Sequence, residues 1–118
     1  GASFVFATMT GADFGDGDDA DTDGASLVST NFVDASLAGA NLTEADVFSS
    51  VLRKTDLSGV SASGADFTSS SFVDSDLSGG NFTGARFVSA DLSKTDFTGA
   101  NLTGADFTSG VFVDAGLI

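Results

Sequence analysis

The chain has 118 residues, 17 acidic against 4 basic side chains and a formal net charge of −13, with 12 Phe and 15 Gly but no Trp, Tyr, Cys, His or Pro. Those absences exclude a disulfide scaffold, a Cys/His zinc site and a Cys or His nucleophile system. No apolar run approaches the ~18 residues of a membrane span, a 42% hydrophobic, 18% charged composition is not that of a disordered chain, and the negative charge disfavours direct binding to nucleic acid phosphates or anionic lipid.

Residues 1–14 place Phe4, Met9 and Phe14 at every fifth position, and Ala12-Asp13-Phe14 sets a small residue, Asp and a large apolar residue in a row. They predict an N-terminal partial coil. Residues 15–24 interrupt it with a run of Gly and Asp, after which the large residues return three positions out of phase. This segment reads as an inserted acidic loop. Within it, Asp19-x-Asp21-x-Asp23-Gly24 matches the opening of a calcium loop, where alternate carboxylates face one hard cation and Gly makes the turn. The twelfth position is Thr30 rather than a bidentate Glu. Two readings therefore stand: Ca²⁺ held by Asp19, Asp21 and Asp23 with Asp16 and Asp18 as substitute ligands, or a solvated loop that binds nothing.

Residues 25–118 are regular. Of 19 positions spaced by five from Leu27 to Leu117, only Ala62 is not a large apolar residue. Two positions earlier stands Ala, Ser, Thr, Gly or, once, Val60, and the residue between is most often Asp or Asn. Period five fits neither the 3.6 of a helix nor the 2 of a strand. A chain that turns a corner after each pentad satisfies it, burying one large and one small residue per side. The triplets Phe32-Val33-Asp34, Phe72-Val73-Asp74 and Phe112-Val113-Asp114 recur every 40 residues, which is two turns of four pentads. The Ala62 exception fits the same stacking. Val60 is large where small residues are usual, and one coil on the pair is Gly80 and Phe82, so volume lost at one position returns at its neighbours.

The triplets Ala65-Asp66-Phe67, Ala100-Asn101-Leu102 and Ala105-Asp106-Phe107 carry the pattern A-(D/N)-L-x-x. The chain thereby resembles the pentapeptide-repeat family over residues 25–118. The resemblance implies an all-β fold, a right-handed quadrilateral parallel β-helix. The whole chain would form one solenoid of about five coils spaced ~4.8 Å apart.

Stacking then sorts the outward residues into columns. Asp34, Lys54, Asp74, Lys94 and Asp114 alternate in sign and predict an ion-pair ladder worth about 0–1 kcal/mol per pair. Asp56, Asp76 and Asp96 form a like-charge column, expected to be stabilised by backbone N–H groups of their own corners. Asn41, Ser61, Asn81 and Asn101 form a flat amide-and-hydroxyl face that includes three N-x-T sequons. The feature most suggestive of a partner is apolar. Val33, Val73 and Val113 share a column flanked by Val51 and Val111, and Val28, Phe48 and Val88 lie round the corner. Phe48 should face outward because Val47 takes the inward position. Exposed apolar residues of this kind mark partner surfaces.

No catalytic constellation emerges, so the expectation is a non-enzymatic structural or protein-interaction module without a cofactor, an accessory or assembly subunit of a larger protein complex. The resemblance implies proteins frequent in cyanobacteria and in the thylakoid lumen, with the cytoplasm as the alternative compartment. It also implies a second reading, a DNA-mimicking modulator of a topoisomerase such as gyrase, toward which the net charge and the Asp56, Asp76, Asp96 column point. Calcium-linked and ice-binding surface proteins are the remaining alternatives. The first residue, Gly1, is not Met and Ile118 stops inside a pentad, so the ends are expected to be covered by partners or by further segments.

Overall fold

Each pentad folds as a short extended stretch followed by a tight corner. In the computed structural model, which describes residues 2–15 and 24–116, one residue of every pentad forms a parallel bridge to the residue 20 positions on, as in Ser26↔Asp46, Asn31↔Val51, Ser36↔Asp56 and Asn41↔Ser61. Those four bridges mark the four sides of one coil: residues 25–27, 30–32, 35–37 and 40–42. The large residue in the middle donates its N–H to the coil below (Phe32 N–H to Val51 O, 2.7 Å), and the bridging residue donates upward (Val51 N–H to Thr30 O, 2.9 Å). Proline, which offers no N–H, would break such a ladder.

The corners are type II turns. Across the corner after Phe32, Ala35 donates to Phe32 O at 2.9 Å, and Asp34 has φ 58°. The equivalent residue has positive φ at every corner from Ser29 to Asp114. A type II turn requires that sign at its third residue. The corner after the third side meets the demand with Gly39, Gly59, Gly79 and Gly99. The two corners flanking the second side do not. One uses Ser29, Ser49, Ser69, Ser89 and Ser109, and the other uses charged residues.

The N-terminal stretch occupies the second, third and fourth sides one level higher. Ser3, Thr8 and Asp13 bridge to Asn31, Ser36 and Asn41, an offset of 28 instead of 20. The chain resumes at Gly24, whose N–H reaches Glu44 O at 3.1 Å. A Cβ at Gly24 would lie 2.6 Å from the backbone of Thr43, Glu44 and Ala45, so only glycine lets the chain pass this close.

Inside the coils, Phe32, Leu37, Leu42, Val47 and their successors down to Phe97 are buried. Phe67, Phe87 and Phe107 stack ring on ring down the first side at 5.1 and 5.0 Å, and Phe4 stacks on Phe32 at 5.4 Å. The small inward positions include buried hydroxyls. Ser50 Oγ accepts the N–H of Thr30 and donates to Leu27 O, thereby replacing the direct bond across that turn. Ser70 does the same between Ser50 and Val47, and Ser75 between Thr55 and Leu52. These three buried hydroxyls are thus satisfied by the turns of the coils above them.

Candidate interaction surfaces

The outward carboxylates are organised by the corners. Asp56, Asp76 and Asp96 stand on consecutive bridges, yet each accepts the N–H of the residue two positions on: Ser58 at 3.0 Å, Ser78 at 2.9 Å and Thr98 at 2.8 Å. This is the Asx-turn role expected of them. Asp106 shows what the contact does electrostatically. The Thr108 hydroxyl and then the Thr108 N–H hold its carboxyl below the ordinary 3.8, with Arg86 adding to the effect against a small contribution from burial. Asp96 is lowered in the same sense by Thr98, side chain first and N–H second.

A group whose folded value is depressed contributes stability above its unfolded value and loses it as pH falls through the folded one. Stability should therefore stay level down to pH ~4 and fall below it, and Asp106→Asn should reduce that acid-side slope. Urea midpoints measured across this range check the expectation.

The sign-alternating column does not form the ladder expected of it. Among the described residues the ion pair is Arg86 with Asp66, at 3.2 Å, and Asp34, Lys54, Asp74, Lys94 and Asp114 all stand exposed at corner apices without one. Exposed charges gain little from pairing in water and lose side-chain freedom by doing so. The fourth side is as polar as expected, but two of its threonines are engaged locally. Thr83 and Thr103 hydroxyls donate to Asn81 and Asn101, each at 2.7 Å.

The apolar candidates separate into two groups. Val28 and Phe48 are adjacent rungs of one corner, joined by Ser29 N–H to Phe48 O at 2.9 Å, and are 38% and 42% exposed. Val88 lies below them beyond Thr68 and is half-buried. In the other column Val33 and Val73 are half-buried, and Arg53 and Ser93 separate them from each other and from Val113, which is exposed. Val51 is half-buried, and Ser71 and Asp91 stand between it and the exposed Val111. The valines therefore do not make one continuous patch. Phe6, at 74% the most exposed large apolar side chain among the described residues, and its neighbour Val5 were not among the residues expected to meet a partner. The signal was present: Phe6 follows the inward Phe4 by two positions, which puts it at a corner apex.

Asp19, Asp21 and Asp23, with Asp16 and Asp18, lie outside the described residues. Among the described residues, no three carboxylates converge as metal ligands and no pocket opens.

The sequence profile of pentapeptide repeats matches in 8 copies, over residues 18–47, 49–84 and 70–108. The chain belongs to the pentapeptide-repeat family. Its fold is that family's right-handed quadrilateral β-helix. A pentapeptide repeat protein of the Arabidopsis thaliana thylakoid lumen is similar to it, at 30% identity and a TM-score of 0.74, covering 84% of this chain and 63% of its own. This chain thus spans under two thirds of that protein's length. A pentapeptide repeat protein of the cyanobacterium Cyanothece 51142 has the same fold at 19% identity and a TM-score of 0.57, covering 97% of this chain and 90% of its own. HetL, a pentapeptide repeat protein involved in heterocyst differentiation regulation in Nostoc, is 28% identical with a TM-score of 0.48, covering 94% of this chain and 60% of its own. No curated protein matches the chain.

Proposed function

We propose that this pentapeptide-repeat protein is a non-enzymatic protein-interaction module, an accessory or assembly subunit that docks on a larger protein complex in the thylakoid lumen. The observation that carries the reading is the Val28–Phe48 corner. Ten of the 12 Phe occupy inward positions of the repeat, while Phe48 stands 42% exposed beside an exposed Val28. Where Phe48 stands, the same corner carries Thr68 and Thr108 on other rungs, so the fold tolerates a polar residue there. A solvent-facing aromatic next to a β-branched residue supplies apolar area that a partner can bury. The similarity to the Arabidopsis lumen protein supports the compartment. The gyrase-directed reading gains nothing comparable, because the Asp56, Asp76 and Asp96 carboxylates are engaged by their own corners.

Phe48→Asp should leave the fold intact and reduce recovery of the partner by about ten-fold or more, as loss of a central apolar anchor does. Co-purification from lumen extract on immobilised protein measures this, with Ser58→Asp on a distant corner as the control. Equal recovery by Phe48→Asp and wild type would remove this corner from the interface.

A further inference from the structure

The corner between the second and third sides carries, from the top coil down, Phe6, Asp34, Lys54, Asp74, Lys94 and Asp114. Phe6 heads the column because its N–H donates to Val33 O at 3.1 Å, as that of Asp34 does to Arg53 O at 3.2 Å. All six residues are exposed, and all adopt the left-handed conformation, with φ between 54° and 62°. An L-residue with a Cβ is disfavoured there by about 1–2 kcal/mol, and the next corner avoids that cost with glycine throughout. This corner instead presents an aromatic ring and five charges that form no ion pair among the described residues, including two of the chain's 4 basic residues.

The column is complementary to its own reverse. Turned end for end, it sets Lys54 against Asp74, Asp34 against Lys94 and Phe6 against the Val113–Asp114 end. We propose that a second copy of this chain docks along this corner, antiparallel and about a two-fold axis between Lys54 and Asp74. Each copy then contributes Lys54 and Lys94 to Asp74 and Asp34 of the other, giving four ion pairs. The two most exposed large apolar residues among those described, Phe6 at 74% and Val113 at 60%, meet at both ends of the strip. Arg53 opposes Val73, and its stem covers that side chain while its head reaches toward Asp74 of the other copy. A two-fold arrangement closes on itself, whereas a parallel copy slipped by one rung would also match charges but propagate without end. The strip spans six rungs, roughly 24 Å. A strip one corner wide is a small contact beside the ~800 Å² per partner of standard-size complexes, so a weak dimer is expected.

Sedimentation equilibrium of the full chain from about 10 to 500 µM tests this. The expected result is a monomer–dimer equilibrium that Lys54→Asp and Asp74→Lys each weaken at least ten-fold and that the double exchange restores. Phe6→Gly should weaken the dimer while leaving thermal stability equal or higher, because glycine accepts the left-handed backbone without strain. A monomer at every concentration would overturn the proposal. So would a dimer indifferent to the Lys54 and Asp74 exchanges, or one lost only on Phe48→Asp, which would assign the contact to the other corner.

Discussion

Phe87→Ala is expected to lower the unfolding free energy by about 4 kcal/mol, the middle of the range for buried Phe truncations. Phe87 is fully buried on the first side and lies at the centre of the aromatic core. Its ring stacks between Phe67 at 5.1 Å and Phe107 at 5.0 Å, and meets Phe72, Phe82 and Phe97 edge-on or tilted at 5.5, 5.6 and 6.1 Å. Removing it empties a site that the rigid corners prevent from collapsing, because each corner is tied to the coils above and below. Stacked and edge-to-face pairs add to the plain burial. Phe112→Ala, in the lowest described coil where the ring is only half-buried, should cost distinctly less. Urea denaturation of the two variants measures the difference, and equal losses would mean that the ring stack is not the organising core.

Gly80→Ala is expected to destabilise by about 1–3 kcal/mol through overpacking. A Cβ at Gly80 would lie 2.5 Å from Cε2 of Phe82, 3.0 Å from its Cζ and 3.2 Å from Leu77 O. The Phe82 ring therefore occupies the space that the small residue of its own pentad would otherwise take. One coil above, Ala62 N–H donates to Asn81 O at 2.7 Å, which stacks the smallest residue of the large series next to Phe82. The substitution should be rescued by Phe82→Leu, since a shorter side chain withdraws the atoms that clash. The double-mutant cycle should then show a coupling of ~1 kcal/mol or more. Simple additivity of the two losses would contradict this account of the Ala62, Gly80 and Phe82 exchange.

Much of this was legible in the sequence. A period of five leaves few ways to bury the same residue in every repeat, so Leu27, Phe32, Leu37 and their successors named the inward positions and the corners between them. The outward direction of Phe48 followed from Val47, and the corner role of Asp56, Asp76 and Asp96 followed from their place before the large residue. Less legible was whatever depends on how a side chain is directed once its column is known. Asp34 and Lys54 are neighbours by stacking, but the corner apex leaves both in water, where pairing gains little. The hydroxyls of Ser50, Ser70 and Ser75 looked like mere small residues. Their insertion into the turns of the coil above depends on contacts 20 and 23 residues away. Phe6 follows the inward Phe4 by two positions, which puts it at a corner apex, but its high exposure depends on that corner lying in the uppermost coil.

The net charge of −13 is accordingly a poor guide to function, since the Asp and Asn residues before the large positions cap their own corners. On the proposed function, charge serves the fold while the apolar corner serves the partner. The most direct test compares partner recovery by Phe48→Asp with that by the triple variant Asp56→Asn, Asp76→Asn and Asp96→Asn. Asparagine keeps the corner acceptor and removes only the charge. Near-normal recovery by the triple variant and loss of recovery by Phe48→Asp are expected; retention by Phe48→Asp with loss in the triple variant would assign the contact to the charge instead.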